Sequence, residues 1–250
     1  MSKTLHSSLL GAGLLLWCSH GMASSYSISP LMLVAAPTDK VLEFRVANTS
    51  NKVEPVQIQV KRWQQIDGKN HYTQTFDLLP TPATATLKPH QSQYFRLGVV
   101  IPNHSVNMKS YRLLIRQLPS KLVASNKKVA QPHSSSTKLQ ASMHVLLDVS
   151  IPVFLQPKVP LKERFTWHYQ SLKDKQYRIQ LTNQGNVVLK LTHLNIFSQN
   201  TRSLWDKNTL SYVLPSAKRQ WVLTLDQPPK QIVARVNGQK ISTDLAPLGA

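Results

Sequence analysis

Leu139-Gln140-Ala141-Ser142-Met143-His144-Val145-Leu146-Leu147-Asp148-Val149-Ser150-Ile151-Pro152-Val153 carries an apolar residue at every second position from Leu139 to Val153. Successive side chains of a strand point to opposite faces, so this period of two predicts a strand with one buried face. Its eight alternations exceed the usual strand length, and the segment is read as crossing from one sheet or partner to another. Taken alone, the pattern fits a central core strand as well as an edge strand. Upstream, residues 120–138 hold five Ser, four Lys and no acid, with Pro132 in the middle, a composition that predicts a mobile basic loop. Downstream, Gln156-Pro157-Lys158-Val159-Pro160 reads as a hinge between domains.

The same period recurs on both sides. Leu42, Phe44 and Val46 alternate with Glu43, Arg45 and Ala47, and Asn48-Thr49-Ser50-Asn51 makes a turn. Val56, Ile58 and Val60 alternate with Gln57, Gln59 and Lys61, followed by the hairpin signal Asp67-Gly68. Residues 94–99 and 111–118 read as further strands. Beyond the hinge, Phe165, Trp167 and Tyr169 alternate, as do Tyr177, Ile179 and Leu181, and more strands are predicted over 187–194, 212–214 and 221–225. Short, evenly spaced strands with no helix-period segment predict an all-β chain of two β-sandwich domains, 24–157 and 158–250.

Composition narrows the chemistry. The 250 residues carry 30 Lys+Arg against 11 Asp+Glu, a formal net charge of +19. The basic residues are spread along the chain rather than gathered beside aromatics, so a basic surface is read and no nucleic-acid site. Lys3, the apolar run through Leu14-Leu15-Leu16-Trp17 and the small residues of Gly21-Met22-Ala23 predict an export signal over 1–23, cut after Ala23. A lipoprotein cut before Cys18 is disfavoured, because Trp17 stands where a small residue is needed. No later stretch predicts a permanent membrane span. The single Cys excludes an intramolecular disulfide. No G-x-S-x-G, P-loop, G-x-G-x-x-G or H-E-x-x-H motif occurs, and His71, His90, His104, His133, His144, His168 and His193 lack neighbouring ligands at metal spacing. The reading is no catalytic residue, no metal and no cofactor. Trp63, Trp167, Trp205 and Trp221 could form a sugar platform, although Trp in a sandwich is more often core.

Specific phrases carry a resemblance. Ile28-Ser29-Pro30, Val46-Ala47-Asn48, Trp63-Gln64-Gln65 before Asp67-Gly68, and Leu87-Lys88-Pro89 come first. Gln93-Tyr94-Phe95-Arg96-Leu97, Tyr111-Arg112-Leu113 through Gln117-Leu118-Pro119, and Ile151-Pro152-Val153-Phe154 follow. Leu181-Thr182-Asn183-Gln184-Gly185-Asn186 and Tyr212-Val213-Leu214-Pro215 lie in the second domain. In this order and spacing, over essentially the whole mature chain, they resemble the periplasmic pilus-assembly chaperones of the chaperone–usher pathway, most closely the archaic branch.

The resemblance implies two immunoglobulin-like domains in a boomerang and a periplasmic, non-enzymatic chaperone. Its partners would be pilus (fimbrial) subunits and an outer-membrane usher. A subunit lacking its final strand exposes an aggregation-prone edge, and the chaperone lends its own strand to fill the groove. Carried onto this sequence, Met143, Val145 and Leu147 are the central plugs of that donor strand, with Leu139 and Ala141 as extensions. The family also anchors the subunit's terminal carboxylate with basic residues. Here Met32 stands where a first-strand Arg is expected, and Pro152 where a last-strand Lys is expected. Arg112 is therefore the first choice of anchor, with Arg96 and Arg116 behind it and more readily read as sheet-surface charge. Thr81-Pro82 resembles a position that is often cis. The rival readings are a structural or adhesive two-domain β-sandwich of the envelope and, more distantly, a glycan-active enzyme or lectin.

Overall fold

The alternating residues become strands whose apolar side chains meet in two separate cores. The computed structural model describes residues 26–118, 147–198 and 203–248. The first part of the chain forms β1 (Tyr26–Ser29), β2 (Leu33–Ala35), β3 (Val41–Asn48), β4 (Glu54–Ile66) and β5 (Lys69–Gln74). It continues with β6 (Leu78–Thr81), β7 (Thr84–Leu87), β8 (Ser92–Val99), β9 (Lys109–Gln117) and β10 (Asp148–Leu155). One sheet has the order β1-β3-β8-β6, and the facing sheet β2-β10-β9-β4-β5 with β7 also on β4. Phe44 stacks on Phe95 in the core between them, among Val46, Val56, Leu97, Tyr111 and Leu113. The chain passes from the edge of one sheet to the edge of the other at Ser29–Pro30, a cis bond; Thr81–Pro82 is cis as well.

The second sandwich is built from β11 (Phe165–Ser171), β12 (Gln176–Asn183), β13 (Leu189–Phe197), β14 (Ser203–Val213), β15 (Lys218–Thr224), β16 (Gln231–Val236), β17 (Gln239–Asp244) and β18 (Ala246–Pro247). Its sheets run β15-β12-β11-β18 and β14-β13-β16-β17. Ile179, Leu181, Leu191, Leu194, Ile196 and Val236 fill the space between them. No helix of the described residues is long and apolar enough to cross a membrane.

Three buried asparagines staple the loops at the ends of strands. Asn48 donates its side-chain amide to the carbonyls of Lys52, Leu87 and Lys88 and accepts from Ser50 N–H. Asn103 and Asn183 repeat the arrangement, each accepting from the residue two ahead. Full satisfaction is what allows such polar side chains inside. Gly185 is required by close approach: a Cβ there would lie 2.2 Å from the Lys162 carbonyl oxygen. The two sandwiches therefore meet through a connector, 156–164, pinned on the 183–186 turn.

Candidate functional site

β10 has one complete neighbour and one incomplete neighbour. It pairs antiparallel with β9 over its whole length, from Asp148 opposite Arg116 to Leu155 opposite Lys109. On the other side β2 pairs only with Val153, Phe154 and Leu155, in parallel. The edge over 148–152 has no partner strand among the described residues. Gln117 N–H donates to the Leu147 carbonyl at 2.9 Å, and Leu147 N–H donates to the Gln117 side-chain oxygen at 3.1 Å. Antiparallel alternation then turns the backbone groups of 149, 151 and 153 toward β9 and those of Asp148, Ser150 and Pro152 outward. Pro152 thus lacks its N–H on the open side, where no ladder bond to β9 is lost.

Leu147 and Val149 are partly buried against the first core, which also takes in Ile151 and Val153. These four alternate residues share one face of the strand. The other donor candidates, Leu139, Ala141, Met143 and Val145, lie outside the described residues, as do the loop 120–138 and the signal 1–23.

On the opposite face of the same sheet, Arg112 sits on β9 between Pro152 of β10 and Lys61 of β4, its direct cross-strand neighbours. Its guanidinium lies 4.0 Å over the Trp63 ring and 5.6 Å from the centre of the Tyr212 ring. Trp63 is held by Phe154, Tyr72 and Tyr212 at ring distances of 6.4, 6.5 and 5.7 Å, and its N–H donates to Asn70. Burial pulls the Arg112 pKa below its ordinary value against the opposing effect of Tyr72 and Tyr212. Arginine titrates so high that the group stays charged. Among the described residues Arg112 has no carboxylate partner, and its Nε has no hydrogen-bond partner. Lys61 beside it has no acid partner among the described residues either. Arg112 and Lys61 are thus two cations on neighbouring strands, neither paired with an acid among the described residues.

Arg96 and Arg116 are placed differently. Arg96 lies on β8 in the other sheet, exposed and bonded to Glu43 at 2.7 Å. Arg116 shares the face of Arg112 but faces Asp148 at 3.3 Å. Lys61 escaped sequence reading because only the strand register sets it beside Arg112. Behind this face, Arg62 and the Tyr111 hydroxyl each donate to Asp77 at 2.7 Å. Burial works against the charge on Asp77, but the Tyr111 hydrogen bond and Arg62 outweigh it and hold the carboxyl below its usual range.

The second core continues across the domain boundary to Trp63, Met108 and Phe154. Gln65 bridges the sandwiches: its amide donates to the Tyr212 carbonyl at 2.9 Å and its oxygen accepts from Leu214 N–H at 3.0 Å. Asn186 donates to the carbonyls of Val106 and Pro160. The tryptophans considered as a sugar platform are packed instead: Trp63 and Trp167 are buried, and Trp205 and Trp221 lean on the second core, Trp221 stacked on Trp167. Among the described residues no cluster of three or more His, Cys, Asp or Glu is placed to hold a metal ion.

Comparison with known proteins follows the same lines. Residues 26–160 match the family model of the pili and flagellar-assembly chaperones, PapD N-terminal domain. No curated protein sequence matches the chain. Among solved structures, the fold is similar to the CsuC–CsuE chaperone–tip adhesion subunit pre-assembly complex from archaic chaperone–usher Csu pili of Acinetobacter baumannii. That match has a TM-score of 0.67 at 18% identity and covers 90% of this chain and 100% of the other. The YadV chaperone matches with a TM-score of 0.61 at 12% identity, over 88% of this chain and 98% of that one. The Salmonella enterica SafA pilin–SafB chaperone complex matches with 0.60 at 12% identity, over 88% and 96%. At these identities the likeness is one of fold.

Proposed function

The chain belongs to the family of pili and flagellar-assembly chaperones, and on that premise we propose that it captures pilus subunits in the periplasm by lending them a strand and passes them to an outer-membrane usher. Residues 1–23 are its export signal, cut after Ala23; 24–157 form the N-terminal immunoglobulin-like domain that carries the donor strand, and 158–250 the C-terminal domain. Capture proceeds by binding alone, with no catalysis, nucleotide or metal.

The observation that carries this reading is the half-open edge of β10. Outward-facing backbone groups at Asp148 and Ser150 offer ladder bonds to an added strand, and the core-facing alternation of 147–153 sets the phase of the donor. In that phase Leu139, Ala141, Met143, Val145 and Leu147 fall on one face of an extended segment and fill the subunit's groove. Each large plug stabilises the complex by roughly 1.5–3 kcal/mol before ordering costs. Arg112, with Lys61 beside it, binds the subunit's terminal carboxylate and fixes its register. Arg96 and Arg116, each already facing an acid, are less suited to that role.

Co-expression with pilus subunits tests the donor assignment. The double variant Met143→Glu, Val145→Glu should keep the melting temperature of the free chaperone and lose the co-purifying subunit. Normal subunit yield from a folded double variant would reject it.

A further inference from the structure

A cavity of about 450 Å³ lies between the two sandwiches, walled by Val34, Met108, Phe154, Leu161, Val188 and Tyr212, with Lys190 also in its lining and no acid. Two of its walls are shared with the surroundings of Arg112. Tyr212 stands 5.6 Å from the guanidinium, and Phe154 packs 5.9 Å from Tyr212 and 6.4 Å from Trp63. We propose that this cavity receives the side chain of the captured subunit's last residue, so that the chaperone selects subunits ending in an aromatic or long aliphatic residue. This rests on the reading of Arg112 as the carboxylate anchor.

Three features of the geometry carry it. First, β2 is an end-stop: a strand added along the open edge of β10 runs into β2 at Val153, so, with its C-terminal end there, it stops beside Pro152, the direct cross-strand neighbour of Arg112. Second, Phe154 is two residues further along β10 on the same face, roughly 7 Å away, which one side chain leaning along the strand can span. Third, the chemistry matches. Apolar walls with Lys190 in the lining and Arg112 beside Tyr212 fit a body that is apolar except for one anionic end, whereas a fully polar or cationic terminus would leave buried groups unpaired. Met108 in the wall lends adaptability to side chains of different shape.

The probes are acetylated hexapeptides of alternating threonine and valine, ending in phenylalanine or serine, each as the free acid and as the amide, titrated calorimetrically into the mature chain. The phenylalanine acid should bind roughly ten- to a hundredfold tighter than the serine acid. Val34→Glu with Leu161→Glu, both at exposed positions of the cavity lining, should erase that preference. Amidation should weaken both peptides. Equal binding of the two acids, or a preference that survives the double variant, overturns the cavity assignment even while amidation keeps its effect and Arg112 stands. A phenylalanine preference indifferent to amidation removes the anchor, and with it the proposal. Failure of every peptide to bind at millimolar concentration overturns both.

Discussion

Replacing Arg112 by alanine should separate capture from folding. In the free chaperone the guanidinium gains from the Trp63 face 4.0 Å below it, an attraction of about 1 kcal/mol at a partly exposed site. Against this stands the desolvation of a charge with no counter-ion among the described residues, next to the like charge of Lys61. The two effects have opposite sign, so the melting temperature of the Ala variant should stay within a few degrees of the parent. In the complex the balance changes. A carboxylate at about 4 Å contributes roughly 4 kcal/mol of Coulomb energy at an effective dielectric of 20. Truncating one partner of such a pair costs about 2–5 kcal/mol, and Lys61 remains to recover part of it. Subunit affinity should therefore fall by about 2–3 kcal/mol, roughly 30- to 150-fold. Arg112→Lys, which keeps the charge but loses the planar fork and its seat on Trp63, should fall between the two. Competition between parent and variant for one limiting subunit, read by mass after purification, measures the ratio directly. Parent-like capture by a folded Ala variant would refute the anchor. A collapse of the free protein's melting temperature would refute the account of a charge held ready without structural purpose.

Asp77 has its pKa lowered by folding, so its stabilising contribution is full above the unfolded carboxylate value, about 3.9, and is lost as pH falls through the folded value. Asp77→Asn should cost about 2–3 kcal/mol at neutral pH, and its gap to the parent in urea midpoint should close below about pH 4; a constant gap would contradict the linkage. Gly185→Ala places a methyl 2.2 Å from the Lys162 carbonyl oxygen and 2.7 Å from Arg164 N, and should destabilise by about 1–3 kcal/mol in thermal melts. No loss of stability would show the connector free to move aside. Gln65→Ala removes both bridges to β14 and Leu214, leaving Leu214 N–H unpaired, and should broaden the solution scattering envelope by loosening the sandwiches; an unchanged profile would assign their orientation to the Trp63 cluster alone.

The strands were legible where one face is buried. Leu42-Phe44-Val46 and Val56-Ile58-Val60 lie inward as their alternation predicts, because a period of two maps directly onto burial. Asp67-Gly68 adopts positive φ at both residues between β4 and β5. Asn237-Gly238 does the same between β16 and β17, and its Asn-Gly signal was there to be read. β5 and β17 were harder to see: β5 is exposed throughout and carries no alternation. The site was less legible than the fold. Arg112 stands out in sequence only through a family phrase, whereas its seat on Trp63, the cation at Lys61 and the cavity against Val188 and Tyr212 depend on register and on contacts between residues dozens of positions apart. No local pattern encodes those.

Pro152 has a consequence for the molecule while it waits without cargo. An unfinished sheet border tempts a second copy of the same protein to zip against it, and a symmetric antiparallel zipper would need both borders to contribute every rung. With the nitrogen of residue 152 closed into a ring, each copy is short of one donor at the mouth of the cleft, and a homodimer forfeits two. A visiting polypeptide that ends at that spot presents a carboxylate there, whose oxygens can take their hydrogen bonds from Arg112 rather than from residue 152. One imino acid thus tilts the open margin away from self-association and toward a guest that terminates in the right place.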